Sequence, residues 1–299
     1  MTSIVIPAHN EGRVIGRLLD SLLAESSAGE IDIVVVCNGC TDDTARVAGL
    51  RGASVRVVEI PAPSKHAALR VGDEHARGFP RLYVDADVVI GTSDVRALAH
   101  TLDNSSTLLA TAPERDLPLA GCAWRVRAYY RVWQRLPAVR EGLFGRGVIA
   151  VSEAGHARIA ALPPLMADDL AASLAFGPDE RLVVDTARVV VHPPRTWSDL
   201  IKRRIRAATS SAQLEQYQER EQIPETARAK GRSSEQPPAQ PSARTSMADL
   251  RALLRAEPRL FLGVVVFISA ALVARRGSRK AIASQDFGTW LRDESSREG

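Results

Sequence analysis

The sequence predicts an α/β fold in which a mostly parallel central sheet is flanked by helices, followed by a C-terminal helical, membrane-associating extension. Within residues 2–88, short β-branched runs alternate with helical patterns, and polar residues follow the runs. The 299 residues are 45% hydrophobic and 25% charged, which is a globular composition. A chain of this length can bury a sizeable core.

Four short apolar runs are predicted strands, and they cover residues 2–7, 31–36, 54–60 and 83–88. The apolar spacing between them predicts helices over residues 14–23, 45–50 and 65–76. Asn10 is the predicted cap of the first helix. Crossovers this short make a parallel sheet, and ligands of such sheets gather beyond the carboxyl ends of the strands.

Three polar loops follow predicted strands: His9 to Glu11, Asn38 to Asp43, and Asp85 to Asp87. Since all three lie at the same edge of the predicted sheet, we expect them to line one crevice. The glycine-rich dinucleotide fingerprint and the P-loop are both missing from the sequence. The sequence therefore lacks the main signature of a dinucleotide-binding dehydrogenase and that of a P-loop NTPase, which argues against both classes.

The Asp85-Ala-Asp87 motif falls within the fourth predicted strand. Residues two apart in an extended strand point the same way, so both carboxylates should project together from an apolar segment. Mg²⁺ or Mn²⁺ between them relieves their repulsion and keeps coordination positions for phosphate oxygens. The tripeptide is common, and the alternative is a strand end that runs into a solvated acidic turn.

Three cysteines, Cys37, Cys40 and Cys122, are too few for a disulfide framework. Cys37 and Cys40 have the spacing of a thioredoxin-like redox pair, which is a less favoured alternative for this turn. No charged-then-apolar signal peptide precedes the first strand, so we expect the catalytic part to be cytoplasmic.

Four motifs resemble, in order and spacing, the family 2 glycosyltransferases of the Rossmann-like GT-A fold. They are Val5-Ile-Pro-Ala-His-Asn-Glu11, Val35-Val-Cys-Asn-Gly-Cys-Thr-Asp-Asp-Thr44, Ser64-Lys-His-Ala-Ala-Leu69 and Val84-Asp-Ala-Asp87. The resemblance covers residues 1–210. It implies a catalytic domain that binds a divalent cation and a nucleotide-diphospho-sugar, with UDP as the first expectation and GDP or dTDP open.

The resemblance also implies which residues contact the donor. Pro7, Ala8 and Glu11 match the first nucleotide-contacting loop, and Lys65 matches the loop near the base and the diphosphate. Asn38 departs from the family, because many relatives have an acidic residue there that accepts a hydrogen bond from the base. An amide both donates and accepts, so the identity of the base stays open.

For the metal and the acceptor, the resemblance places Asp85 against ribose and metal and makes Asp87 the direct metal ligand. Residues 143–150 resemble the wall of the sugar pocket, with an ordinary hairpin corner as the alternative. Asp169 aligns with the general base that takes the acceptor proton, and Asp168 stands where relatives often have glutamate. Either aspartate is also a good helix cap, which is the structural alternative.

The basic run Lys202-Arg203-Arg204-Ile-Arg206 fits a diphosphate clamp after the catalytic core. Relatives often have a tryptophan after the final arginine, whereas this chain has Ala207. Arg203 and Arg206 are therefore candidate site residues, and a solvated helix face is the alternative.

The C-terminal third is more basic than the rest of the chain. Residues 195–299 carry 19 lysines and arginines against 12 acidic residues, whereas residues 1–194 carry 20 against 23. A basic excess suits an anionic partner, and we expect a membrane surface and no nucleic acid. A solvated basic tail without a partner is the alternative.

Residues 211–246 are predicted to be a helix end and a linker rich in Pro, Gln and Ser, residues 247–280 a helical segment, and residues 281–299 a polar tail without an assigned role. Residues 260–274 carry no charge and are flanked by basic residues. As a helix they measure about 22 Å, against about 30 Å of membrane hydrocarbon. We therefore favour an interfacial or re-entrant anchor over a helix docked on the catalytic domain, and both over a true span.

The predicted function is an inverting, metal-dependent glycosyltransferase, peripheral to or anchored at the inner face of the cell membrane. Its acceptor is the hydroxyl of a glycan or of a lipid-linked molecule. Inversion is expected because a one-step displacement attacks from the far face of the sugar. The alternatives are a nucleotidyltransferase, whose usual glycine-rich basic loop is missing here, and an inert scaffold that binds nucleotide or membrane.

Overall fold

The computed structural model describes residues 1–162, 168–228, 245–283 and 295–297. Eight strands form its sheet: β1 (Thr2–Ala8), β2 (Ile31–Asn38), β3 (Val55–Ile60), β4 (Arg81–Val84), β5 (Val88–Val89), β6 (Ala110–Asp116), β7 (Val148–Val151) and β8 (Arg181–Val191). Their order is β3-β2-β1-β4-β7-β6-β8-β5. The four strands from β3 to β4 are mutually parallel, and β7 runs antiparallel to both of its neighbours. The predicted fold class is confirmed.

The helices are α1 (Ile15–Leu23), α2 (Thr44–Gly49), α3 (Lys65–His75), α4 (Thr92–Asp103), α5 (Trp124–Trp133), α6 (Pro137–Glu141), α7 (Glu153–Ala160), α8 (Asp168–Leu174), α9 (Trp197–Arg228), α10 (Met247–Ala256) and α11 (Phe261–Ala283). They cover both faces of the sheet. On one face, α1 buries Ile15, Leu18 and Leu22 in the main core, and on the other Ala68 of α3 packs with Val34 and Val36. Strands covered on both faces need continuous apolar runs, which is what β1 and β2 have.

The fourth strand is shorter than the sequence predicts. β4 ends at Val84, residues 85–87 turn, and the chain resumes as β5, which pairs with β8 at the edge of the sheet. The prediction of an extended strand through both aspartates was therefore wrong, because the chain crosses there from the centre of the sheet to its edge. The alternation of exposure persists, since Ala86 is buried between the partly exposed Asp85 and Asp87.

The prediction that Asn10 caps the first helix was wrong. Helix α1 starts at Ile15 after Val14, with no side-chain cap. Asn10 has a positive φ of 53°, and its Oδ1 accepts hydrogen bonds from the Thr41 N–H (2.7 Å) and the Asp42 N–H (3.3 Å). Asparagine tolerates this left-handed conformation better than most residues. Its role is to join the loop after β1 to the loop after β2.

Helix α11 packs along the catalytic part of the chain, which was the less favoured alternative. Its Phe267 ring stacks on Tyr129 of α5 with 5.2 Å between ring centroids, and Gly277 lies against Ile205 of α9. By length and composition, Pro258–Ile282 is the one candidate membrane span in the described part of the chain, a test that core helices of soluble proteins also pass. The helix therefore has a docked face and an outward face, and the outward face is apolar at Phe261, Leu262, Val265, Leu272 and Val273.

Candidate active site

Two loops at the carboxyl edge of the parallel strands hold each other in place. The first covers residues 9–12 after β1, and the second covers residues 38–44 after β2. The hydrogen bonds run from His9 Nδ1 to the Asn38 carbonyl (2.6 Å), from the Glu11 N–H to Thr44 Oγ1 (2.8 Å) and from the Gly12 N–H to Asp42 Oδ2 (3.0 Å). Together with the Asn10 contacts, these bonds fix the entrance to α1 and the position of Glu11.

Asn38 and Gly39 make the tight end of β2. The Asn38 amide nitrogen donates to the Ala8 carbonyl at 2.9 Å, and the residue is buried. Gly39 has a positive φ of 58°, and a Cβ atom there would lie 2.8 Å from the Pro63 nitrogen, so the turn requires glycine. The amide nitrogen of Asn38 thus ties β2 to the end of β1.

Asp85 is held by residues from two distant parts of the sequence. Lys65 Nζ, in the first turn of α3, donates to Asp85 Oδ1 at 2.8 Å, and the Asp85 N–H donates to the Gly147 carbonyl at 2.8 Å. Gly147 has a φ of 66°, and a Cβ there would lie 2.5 Å from Val88 Cγ1 and 3.3 Å from Asp85 Oδ2. The structure therefore brings the predicted pocket wall, residues 143–150, against the first aspartate.

Asp87 shares a cationic partner with Glu11. Arg297 donates from Nε and Nη2 to the two carboxylate oxygens of Glu11 at 2.9 and 2.8 Å, and its Nη2 lies 3.4 Å from Asp87 Oδ2. Sequence reasoning missed Arg297, since a basic residue in a polar tail carries no signal of its own. The first loop and the Asp-Ala-Asp turn therefore meet around one guanidinium.

The two aspartates fit a hard divalent cation. Each has a cationic side chain on one carboxylate oxygen, Lys65 on Asp85 and Arg297 on Asp87, so each carboxylate is placed to accept a positive charge. Over the described ranges of the chain, no cluster of three or more His, Cys, Asp or Glu side chains is placed to hold a metal ion. Mg²⁺ and Mn²⁺ suit this donor set because they accept few protein oxygens and take their other ligands from water and phosphates.

A cavity of about 530 Å³ lies beside Asp85. Its lining includes the crevice residues Pro7, Lys65 and Asp85, the apolar side chains of Leu143, Ile149 and Ile159, and the polar side chains of Asp73, Tyr83 and His156. A volume in this range suits a small ligand or one end of a larger one.

Hydrogen bonds join Asp73, Tyr83 and His156 in the polar wall of the cavity. The Tyr83 hydroxyl donates to Asp73 at 2.9 Å, and Arg81 pairs with the same carboxylate at 3.0 Å. His156 Nδ1 lies 3.0 Å from the Tyr83 hydroxyl, and its Nε2 lies 3.2 Å from Arg81 Nη1. Burial and then the Asp73 charge raise the pKa of Tyr83, and burial lowers the pKa of His156. Both rings are therefore uncharged at neutral pH.

Residues 3–144 match the model described as glycosyl transferase family 2. The match covers a little under half of the chain, and this part is similar to that family. Over 97 residues the chain is 39% identical to 4,4'-diaponeurosporenoate glycosyltransferase of Staphylococcus aureus, and the match covers 31% of this chain. It covers 25% of that enzyme, so the chain spans about a quarter of the length of the curated relatives it matches.

Solved glycosyltransferases share the fold of this chain. Mannosyltransferase PcManGT from Pyrobaculum calidifontis, in complex with GDP-Man and Mn²⁺, has a TM-score of 0.57 and 18% identity, with 99% of this chain and 84% of that chain covered. Glucosyl-3-phosphoglycerate synthase from Mycobacterium tuberculosis, in complex with Mn²⁺, UDP-glucose and phosphoglyceric acid, has a TM-score of 0.51 and 21% identity, with 67% and 74% covered. At these identities the likeness establishes the GT-A fold.

The acidic pair expected on the acceptor side opens helix α8. Asp168 and Asp169 are its first two residues, and their side chains lie outside the described residues, as do residues 163–167. Ala171 and Ala172 of the same helix line the cavity beside Asp85. Ser173 Oγ accepts a hydrogen bond from the Leu143 N–H at 3.0 Å. The backbone thus places the start of α8 close to the cavity and ties the helix to the pocket wall.

Arg146 fastens the pocket-wall loop, residues 143–150, to the interior of the protein. Its side chain is fully buried and donates to the carbonyls of Pro113 (2.8 Å), Arg140 (2.8 Å) and Gly142 (3.1 Å). Burial lowers its pKa to about 10, which leaves it charged at neutral pH. The sequence shows only a basic residue between two glycines, so this scaffold role was not predicted.

Arg203 and Arg206, the candidate diphosphate clamp, both lie on α9. Arg203 Nη1 donates to the His192 carbonyl at 3.4 Å. His192 senses the charges of Arg17 and Asp87, although burial is the main reason why its pKa is lowered. Arg203 thus contacts the residue after β8, whereas Arg297 contacts Asp87 with its guanidinium.

The redox alternative for Cys37 and Cys40 has no support in the structure. Both thiols are free, and burial together with the neighbouring Cys40 raises the pKa of Cys37 to about 12. Reactive cysteines have lowered pKa values, because the thiolate is the nucleophile. The Cys40 thiol instead donates to the Ala8 carbonyl at 3.4 Å, which helps to close the loop after β2.

Proposed function

We propose that this protein is an inverting, metal-dependent glycosyltransferase that moves a sugar from a nucleotide-diphospho-sugar to an acceptor hydroxyl. The observation that carries the proposal is the cluster of Lys65, Asp85, Asp87 and Glu11 at the carboxyl edge of the parallel strands, beside the 530 Å³ cavity. That edge is where open α/β sheets bind their ligands. The match of residues 3–144 to the glycosyl transferase family 2 model supports the reaction class.

On the donor side, Asp85 and Asp87 would hold the cation, which supplies positive charge to the leaving diphosphate when it is bound. Lys65 orients Asp85 through its 2.8 Å ion pair and adds a second positive charge to this edge. The interlocked loops at residues 9–12 and 38–44 shape the nucleotide side. Solved neighbours hold UDP-glucose and GDP-Man with Mn²⁺, which supports a nucleotide-sugar donor, and we put a UDP-sugar first.

On the acceptor side, Asp169 acts as the general base that takes the proton of the attacking hydroxyl, with Asp168 beside it. The start of their helix near the cavity supports this assignment. The apolar wall formed by Leu143, Ile149 and Ile159 favours an acceptor that has an apolar part, such as a lipid-linked molecule, over a wholly polar glycan. The name of the Staphylococcus aureus relative, 4,4'-diaponeurosporenoate glycosyltransferase, also supports an acceptor with an apolar part.

Addition of a nucleoside diphosphate with Mn²⁺ is expected to raise the melting temperature of the protein. A ligand at about 100 times its Kd adds about 2.7 kcal/mol to the free energy of unfolding. For a domain of this size that corresponds to a shift of about 5 °C or more. The screen compares UDP, GDP and dTDP and their sugar conjugates, each with Mn²⁺ and with a chelator. Equal shifts in chelator, or no shift with any nucleotide, contradict metal-dependent donor binding.

The outward face of α11 is proposed to lie on the membrane surface. Phe261, Leu262 and Leu272 are each more than half exposed, and basic residues at 275, 276, 279 and 280 follow them. An apolar face followed by cationic side chains is the pattern of an interfacial helix on anionic lipid. The docked face, with Phe267 on Tyr129, keeps such a helix attached to the catalytic part.

Replacement of Phe261, Leu262 and Leu272 by glutamine is expected to release the protein from vesicles that contain anionic lipid. Each side chain contributes about 1.5 kcal/mol or more when buried, so the partition coefficient should fall by at least about 10²-fold. Sedimentation with the vesicles measures the change. Leu50→Gln, at another exposed apolar position, is the matched control and should sediment as the wild type does. Unchanged sedimentation of the triple variant contradicts the interfacial role.

A further inference from the structure

The turn Ser295–Arg297 lies inside the candidate donor site, although it is 286 residues away from Glu11 along the chain. Only 13% of the Arg297 side chain and 11% of the Glu11 side chain are exposed. Their contact has two parallel N–H···O bonds, which is the strongest arrangement for an arginine and a carboxylate. A contact this well buried differs from the screened ion pairs on the protein surface.

The same turn is anchored away from the carboxylates. The backbone N–H of Arg195 donates to Ser295 Oγ at 3.0 Å, and the Ser295 hydroxyl also hydrogen-bonds to Asp199 in the first turn of α9. Ser295 and Ser296 are both buried. The position of Arg297 is therefore set by a docked turn at the start of α9.

Arg297 contacts the oxygen that the metal would need. Its Nη2 lies 3.4 Å from Asp87 Oδ2, and Asp87 is the candidate direct ligand of the divalent cation. A cation bound to that carboxylate would stand within a few ångströms of the guanidinium. Like charges at this distance repel strongly in a partly buried site. Arg17, whose Nη2 reaches the Asp87 carbonyl at 3.5 Å, is a further positive charge nearby.

We propose that Arg297 and the divalent cation are alternative partners of Asp87, so that the Ser295–Arg297 turn closes the donor site until the cation and the donor displace it. The inference rests on the proposed metal-dependent function and adds a form of self-inhibition to it. Without the cation, the guanidinium neutralises Glu11 and Asp87. With the cation bound to Asp87, its positive charge lies close to the guanidinium, and this repulsion displaces Arg297 from Asp87 and from Glu11.

The first test measures Mn²⁺ binding directly, from the electron paramagnetic resonance signal of free Mn²⁺. Arg297→Ala is expected to bind Mn²⁺ about 10-fold more tightly than the wild type, because one repelling charge close to the ion is removed. Arg251→Ala makes the same change of charge on the exposed face of α10 and should leave the Kd unchanged. Unchanged or weaker Mn²⁺ binding by Arg297→Ala overturns the proposal.

The second test uses the wild-type chain, so that it does not depend on how a variant folds. Trypsin cleaves after Arg297 only when the guanidinium leaves Glu11 and enters the protease. Mn²⁺ with UDP is expected to speed this cleavage several-fold, as followed by the intact mass, and cleavage that stays equally slow overturns the proposal. If wild type and Arg297→Ala both fail to bind Mn²⁺, the metal-dependent function itself is wrong; normal Mn²⁺ binding without tail release rejects only the self-inhibition.

Discussion

Asp87→Asn is expected to lower kcat for sugar transfer by about 10³-fold and to remove the Mn²⁺ dependence of nucleotide binding. The amide keeps the size of the side chain but loses the charge that attracts a hard cation. A cation that stabilises the leaving diphosphate is worth several kcal/mol in the transition state, and each 1.36 kcal/mol is a factor of ten in rate. Release of nucleoside diphosphate from the donor, measured over a range of Mn²⁺ concentrations, gives both quantities.

The structure suggests that Asp87→Asn still folds. The side chain is 36% exposed, and the Arg297 guanidinium keeps its two bonds to Glu11 when the weaker 3.4 Å contact to Asp87 is altered. Asp103→Asn, at the exposed end of α4, is the matched control and should retain full activity. Full activity of Asp87→Asn would refute the assignment of the metal site.

Asp169→Asn is expected to lower kcat by about 10²-fold to 10⁴-fold, which is the usual contribution of a general base. The KM for the donor should change little, because the base acts on the acceptor hydroxyl rather than on the nucleotide. A fall in kcat with donor binding retained marks an interaction made in the transition state. Steady-state kinetics of transfer, together with the thermal shift by nucleotide and Mn²⁺, separate the two effects.

The control for Asp169→Asn is Asp179→Asn, an exposed aspartate in the short turn before β8. It makes the same chemical change and should leave kcat at the wild-type value. Asp168→Asn tests the neighbour, which we expect to matter less than Asp169. If Asp169→Asn transfers sugar at the wild-type rate, another group takes the proton and the acceptor side has been assigned wrongly.

Asp87→Asn and Asp169→Asn also separate the proposed enzyme from its alternatives. An inert scaffold would keep its binding function through both substitutions. A nucleotidyltransferase would release pyrophosphate, whereas a glycosyltransferase releases a nucleoside diphosphate. The match of residues 3–144 to the glycosyl transferase family 2 model favours the second product.

The parallel half of the sheet and the neighbourhood of its polar loops were predictable from the sequence. Continuous apolar runs at β1 and β2 indicate strands buried on both faces, and polar residues after them indicate the carboxyl edge. The Asp85-Ala-Asp87 motif could also be predicted, because its two aspartates follow an apolar run. In the structure the motif forms a turn rather than the predicted strand. These signals are local, because each depends on residues a few positions apart.

The tertiary structure alone decided which side chains complete the site. Arg297 reaches Glu11 across the whole chain, Arg146 supports the pocket wall from the interior, and Phe267 docks α11 on Tyr129. Each of these contacts joins residues whose separation in sequence carries no periodicity and no motif. Their pairing depends on the direction in which the folded chain returns to the sheet edge, and that direction follows from the packing of the helices. The local pattern of the sequence thus determined the sheet and its loops, whereas long-range packing determined which charges meet there.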